Sequence, residues 1–277
     1  MAEGSALKAM VAFFTIWRMD IDEDDMEAMN RKFHLVPILG ALFGIVVMIV
    51  SSIFVYLGYK GYFGSSMFVA AAILATVFIG SRFLHFDGLA DFGDGSVVAG
   101  TQEDHVRALK DTLIGAGGLG VALLVTLLNF SVYSMAGDIL AIIVFATVTE
   151  VFVKNAQVAA AAWGEPGHGM AGRQVSETTT TSLIVSTVIS LILAAILALV
   201  ALIMTDTLIF DLNVVDVTGA YAAVVVGLLM SILVGFLMAR RCNRVFGMVN
   251  GDILGATNEI SRFAVMAVMI LVYMVVV

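Results

Sequence analysis

Three aspartates, Asp87, Asp91 and Asp94, stand at i, i+4 and i+7 in the stretch Arg82-Phe83-Leu84-His85-Phe86-Asp87-Gly88-Leu89-Ala90-Asp91-Phe92-Gly93-Asp94-Gly95. At about 100° per residue, a helix holds all three carboxylates within an arc of roughly 60°. Like charges so crowded repel unless a cation neutralises them, and hard oxygen ligands at this spacing suit Mg²⁺ or Mn²⁺. Mg²⁺ keeps several waters and is usually completed by substrate phosphates, so the pattern points to phosphoryl transfer rather than to a structural ion. The competing reading is a solvated acidic loop whose aspartates cap helices. Gly88, Gly93 and Gly95 let backbone approach a bulky ligand, or let the helix break.

Two more polar stretches supply complementary chemistry. Lys110-Asp111-Thr112-Leu113-Ile114-Gly115-Ala116-Gly117-Gly118 opens an apolar run with a lysine, a fourth aspartate and several glycines. A glycine-rich helix start, including Gly115 and Gly118, offers free N–H groups and a positive dipole end to a phosphate, although small residues also let membrane helices approach closely. Further on, Asn250, Asp252 and Glu259 follow the arginines at 240, 241 and 244, and carboxylates for metal beside guanidiniums for phosphate suit a diphosphate substrate. His85 and Asp94 are the candidate proton acceptors. His85 has the better unperturbed pKa for that task, although on a helix it points away from Asp87. Inside the apolar runs, Glu150 and Lys154 stand at i, i+4, either as a self-neutralised pair or as part of a site. Glu259 and Arg262 raise the same choice.

The elements that carry these groups follow from composition. The chain has 277 residues, 61% hydrophobic and 13% charged, whereas soluble domains have about 45–50% apolar and roughly 25% charged residues. A soluble globule, a disordered chain and a nucleic-acid binder are excluded, the last also by a net charge of -8. The single cysteine, Cys242, forms no intrachain disulfide framework. Apolar stretches long enough to cross about 30 Å of hydrocarbon predict an all-α, polytopic transmembrane helical bundle of about seven spans. The spans fall near 35–59, 65–84, 113–136, 139–162, 182–205, 218–239 and 260–277.

Placing the basic residues orients the bundle. With a cytoplasmic N-terminus, Lys8, Arg18, Arg31, Lys32, Arg82, Arg107, Lys110, Arg173, Arg240, Arg241 and Arg244 fall in or beside inner segments. Only Lys60 then lies outside, and the outer loop 206–217 carries Asp206, Asp211 and Asp216 with no basic residue. The long polar loops 85–112, 163–181 and 240–252 then share the cytoplasmic face of an inner-membrane protein. Residues 1–32 read as an amphipathic interfacial segment, with Met10, Val11, Phe13, Phe14 and Trp17 followed by the acidic run Asp20 to Glu27. Residues 33–277 form the helical catalytic domain.

These motifs resemble cobalamin synthase, the adenosylcobinamide-GDP ribazoletransferase family of membrane enzymes. The family signature, close to H-x-D-G-L-A-D-x-x-D-G, is present in full from His85 to Gly95. The Lys110 to Gly118 block and the Val249 to Glu259 block are similar to two others, as are Phe13-Phe14-Thr15 and Pro37-Ile38-Leu39-Gly40. Asn250 stands where the family has threonine, Lys154-Asn155 replaces a Ser-Arg pair, and an Arg-x-Pro after Phe-Phe-Thr is missing. The resemblance implies a Mg²⁺-dependent step of vitamin B12 assembly, in which α-ribazole or its 5′-phosphate is joined to adenosylcobinamide-GDP and GMP departs. Asp87, Asp91 and Asp94, with Asp111 or Asp252, would hold the metal. Arg82, Lys110, Gly115, Gly118, Lys154, Asn250 and Glu259 would bind substrate. Two alternatives use the same residues differently. A CDP-alcohol phosphotransferase shares D-x-x-D-G at Asp91 to Gly95 but lacks its continuation here. A cation transporter would route ions past Glu150 and Lys154.

Overall fold

In lipid, every backbone N–H and C=O has to find its partner within its own segment, and the apolar runs accordingly form helices. The computed structural model describes residues 4–62, 65–135, 139–208 and 217–276, and among them no strand occurs. Six helices are long and apolar enough to cross a membrane. They are α3 (Val36–Tyr59), α7 (Ala116–Ser134), α8 (Ile139–Trp163), α10 (Thr180–Leu208), α11 (Val217–Val245) and α12 (Gly251–Val276). The protein is a polytopic helical membrane bundle. Most of the predicted loop 206–217 lies outside the described residues.

The predicted span at 65–84 takes a different form. Helix α4 (Ser66–Gly80) stops short and the chain turns by 92° into α5 (Leu84–Val97). Arg82 and Phe83 make the corner with φ of 54° and 58°, a left-handed conformation that non-glycine residues adopt reluctantly. The aspartate-rich stretch is therefore one unbroken helix set across the direction of α4, and its glycines do not break it. They bring helices together instead. A Cβ at Gly88 would lie 2.9 Å from the backbone oxygen of Asp252 on α12, and one at Gly93 would lie 3.0 Å from the Cα of Gly118 on α7. The last span begins at Gly251 rather than at 260, so Asp252 and Glu259 belong to one spanning helix.

Helix α8 is the axis of the bundle, enclosed by α3, α10, α11 and α12. Every residue from Ile142 to Ala161 is buried. Polar members of that stretch, such as Glu150, Lys154, Asn155 and Gln157, must find partners inside the protein. The N-terminal segment is two helices, α1 (Ala6–Phe14) and α2 (Glu23–Arg31), because the acidic run folds instead of remaining a loop. Asp22 and Asp25 cap α2 reciprocally. Asp25 also accepts from the Ser5 N–H at 2.6 Å and from Lys8 Nζ at 2.7 Å, which clamps α1 onto α2.

Two short helices complete the chain, α6 (Gln102–Leu109) and α9 (Gly169–Glu177). The loop before α9 is tied down by the Val249 N–H, which donates to the Glu165 carbonyl at 2.7 Å, and by the Gly167 N–H, which donates to the Val249 carbonyl at 3.2 Å. These bonds set α9 next to the start of α12.

Candidate active site between α5 and α12

Helix α5 presents Asp87 and Asp91 toward the start of α12, where Asp252 sits. Burial and the charges of Asp252, Asp87 and Asp94 push the Asp91 carboxyl up to about 6. Asp111 is not among the charges that act on Asp91. It is exposed in the α6–α7 loop and accepts the Leu113 N–H at 3.0 Å, with the exposed Lys110 beside it. Asn250 serves as a support for the site. Its Nδ2 donates to Asp252 Oδ2 at 2.8 Å, while its Oδ1 accepts the Ile253 N–H at 3.1 Å and caps α12.

Asp87, Asp252 and His85 line one cavity of about 180 Å³, closed by Phe13 and Phe14 of α1 and by residues of α9. His85 and Asp87 thus share a cavity, although positions two apart on a helix led to the expectation that they diverge. Asp94 is placed elsewhere. Its two carboxylate oxygens accept the N–H groups of Gly115 and Gly118, each at 2.7 Å. The expectation of free N–H groups at Gly115 and Gly118 is therefore not met, because Asp94 already caps α7. Asp94 thus caps a helix, whereas Asp87 lines the cavity.

Below the cavity lies a buried charged cluster. Lys154 Nζ is 2.6 Å from His85 Nε2 and donates to Asn258 Oδ1 at 2.8 Å. Arg262 pairs with Glu150 of α8, and its Nε lies 3.3 Å from Glu259 Oε2. Of the two readings of Glu150 and Lys154, the self-neutralised pair is not what forms: Glu150 pairs with Arg262, and Lys154 meets His85 and Asn258. Lys154 and Glu259 are 2% exposed and engaged within the bundle, with no open face toward a phosphate. Arg82 donates to the Phe13 carbonyl at 2.6 Å, which ties the α4–α5 corner to α1.

Among the described residues, no three His, Cys, Asp or Glu side chains stand together as a ready-made ion cage. The donor set is still the one that Mg²⁺ uses, since that ion is commonly held by one or two carboxylates plus substrate phosphates and water. The mutual repulsion at Asp91 is the observation that fits a cation here. Two wall residues escaped the motif reading, Gln157 on α8 and Gln174 on α9. For Gln157 the available signal was a glutamine within a membrane-spanning helix.

Residues 6–270 match the family described as cobalamin-5-phosphate synthase, nearly the whole chain. The chain belongs to this family. Among its relatives, a protein of Methanocella arvoryzae is 28% identical over 96% of this chain and 95% of its own length. One of Methanococcoides burtonii is 27% identical over 95% and 91%. One of Halorubrum lacusprofundi is 30% identical over 94% of each chain. All three are named adenosylcobinamide-GDP ribazoletransferase. No solved structure matches the chain. Membership of the cobalamin-5-phosphate synthase family makes the protein an enzyme of cobalamin biosynthesis, and the family match spans the Asp87 to Asp94 face, the Asn250–Asp252 cap and the buried Lys154–His85 contact alike.

Proposed function

We propose that this enzyme is a Mg²⁺-dependent adenosylcobinamide-GDP ribazoletransferase that joins α-ribazole, or its 5′-phosphate, to adenosylcobinamide-GDP and releases GMP. The carrying observation is the cavity that places Asp87 of α5 and Asp252 of α12 on one wall beside His85. Family membership supports the same reading against the CDP-alcohol phosphotransferase and transporter alternatives. Bound Mg²⁺, or Mn²⁺, supplies charge stabilisation to the attacking and leaving oxygens.

The chain's own residues do the rest. Asp87, Asp91 and Asp252 would hold the metal together with the substrate's phosphates, with Asn250 orienting the Asp252 carboxylate. A hydroxyl of the ribose attacks the phosphorus next to the corrinoid's aminopropanol arm, in line with the departing GMP. His85 is the proton acceptor on the cavity wall, since Asp94 is committed to α7. With Lys154 as a neutral amine that accepts Nε2–H, His85 Nδ1 is left as the basic atom. Phe13 and Phe14 exclude water from that end. A cavity of about 180 Å³ accepts a sugar phosphate, so the corrin ring stays outside it at the membrane boundary. The basic residues orient this boundary toward the cytoplasm, in the cytoplasmic membrane. The test is purified protein in detergent with Mg²⁺, adenosylcobinamide-GDP and each nucleoside. GMP together with a product of the joined mass supports the reading, and GMP-free mixtures refute it.

A further inference from the structure

The cavity wall contains two buried amide ends with nothing to bond. Gln157 is 2% exposed and its Nε2 donates to the Leu254 carbonyl at 3.0 Å. That bond fixes which end of the amide is which, so the free end is the oxygen. Gln157 Oε1 has no hydrogen-bond partner among the described residues. Gln174, also 2% exposed, has its Nε2 in the same condition. Both residues line the cavity that Asp87, Asp252 and His85 share.

Buried polar atoms without partners are rare in folded proteins, because each has forfeited its water without compensation. Two of them, one acceptor and one donor, on residues that line the same cavity describe the complement of a ligand. The ligand group must give a hydrogen to Gln157 Oε1 and take one from Gln174 Nε2. An ionised phosphate has no hydrogen to give, and an ammonium has no lone pair to offer. A neutral hydroxyl or carboxamide satisfies both ends. Gln157 comes from the central helix α8, so one half of the pair is fixed to the most enclosed element of the bundle. The other half comes from α9, which is held against the start of α12 by the Glu165–Val249–Gly167 backbone bonds.

Resting on the proposed reaction, we infer that Gln157 and Gln174 grip a ribose hydroxyl of the incoming nucleoside, next to the hydroxyl that reacts, and so set both its binding and its orientation. The sugar is favoured over a carboxamide arm of the corrinoid because the two amides share their cavity with the carboxylates and His85. The reacting hydroxyl has to be there. A site that hydrogen-bonds a substrate hydroxyl discriminates strongly against an analogue lacking it, because the protein groups are then left unpaired again.

The experiment uses the full chain in detergent, with Gln157→Met and Gln174→Met and with two nucleosides, α-ribazole and its analogue lacking the neighbouring hydroxyl. For each variant we expect KM for α-ribazole to rise by about tenfold or more, the size of one buried hydrogen bond, while KM for adenosylcobinamide-GDP stays within about twofold. Wild-type enzyme should disfavour the deoxy analogue by a similar factor, and the variants should no longer distinguish the two nucleosides. Unchanged KM for α-ribazole, a rise confined to the corrinoid substrate, or discrimination that survives in Gln174→Met would each overturn the inference. Because Gln157→Met also removes the bond to Leu254, Gln174→Met alone decides the matter if the first variant does not fold. Equilibrium binding of α-ribazole to wild type and to Gln174→Met reads the inference without turnover. Lack of product from the wild type would therefore count against the proposed reaction, and equal binding by the two proteins would count against the amide grip.

Discussion

Lys154 and His85, 69 positions apart in the chain, meet with Nζ and Nε2 separated by 2.6 Å. The amine comes from the middle of α8 and the imidazole from the first turn of α5, so the ring is held from the membrane interior while it lines the cavity. The same amine donates a hydrogen to Asn258 Oδ1 at 2.8 Å. On the proposed reaction, the contact gives Lys154 a positioning role toward His85.

His85→Ala should lower kcat for GMP release by about 10²–10⁴, the usual contribution of a positioned acid–base group. Lys154→Met should lower it less, and both should leave KM for the corrinoid substrate nearly unchanged. Steady-state kinetics in detergent check this. Retention of wild-type kcat in His85→Ala would remove the residue from the chemistry.

Asp94 and Asp91 should separate in stability measurements. Removing the Asp94 carboxylate orphans the Gly115 and Gly118 N–H groups at the start of α7, so Asp94→Ala should cost about 1–2 kcal/mol. A thermal melt of the purified variant should show the loss. Asp91→Asn removes a repelled charge and should melt no lower than the wild type in the absence of metal.

Acid should weaken metal binding. Asp91 takes its proton near 6 in the folded protein, above the ordinary value of 3.8. A carboxyl raised in this way penalises the folded state above about 6, where it is ionised among like charges, and the penalty fades as protonation sets in below that value. Without Mg²⁺ the Asp91 contribution therefore favours the fold more at pH 5 than at pH 7. Mg²⁺ affinity should run the opposite way, falling as pH drops through 6. Calorimetric titration of Mg²⁺ between pH 5 and 7.5 checks the direction, and Asp91→Asn should flatten the dependence in that window.

Arg262 holds two carboxylates inside the bundle, Glu150 and Glu259. Arg262→Met leaves both buried without their guanidinium, which should destabilise the protein by about 3–5 kcal/mol. Loss of folded protein after detergent extraction, measured by size-exclusion chromatography, is the expected outcome. Arg262→Lys should recover only part of it, because an ammonium lacks the guanidinium fork.

The local pattern carried much of this architecture. Asp87, Asp91 and Asp94 share a helix because their spacing is helical, and the spans follow from the length of apolar runs. What spacing could not show is long-range. The cap of α7 joins Asp94 to glycines 21 and 24 residues later, so the same aspartate that fits a ligand pattern is a helix terminator. Glu150 and Lys154 have ideal i, i+4 spacing, yet Arg262 and His85 reach them from other helices, where desolvated charges bond more completely. The right angle between α4 and α5 depends on two left-handed residues, Arg82 and Phe83, neither of which is a glycine. Hydropathy therefore read one straight span there.

The central claim is that carboxylates of α5 and α12 hold a divalent cation across the diphosphate of the substrate. Mg²⁺ titration into the protein loaded with adenosylcobinamide-GDP tests it most directly, in wild type, Asp91→Asn and Asp252→Asn. The account predicts saturable binding that either substitution weakens by tenfold or more, with GMP release lost in parallel and the melting temperature maintained. Wild-type Mg²⁺ affinity and turnover in both variants would contradict it.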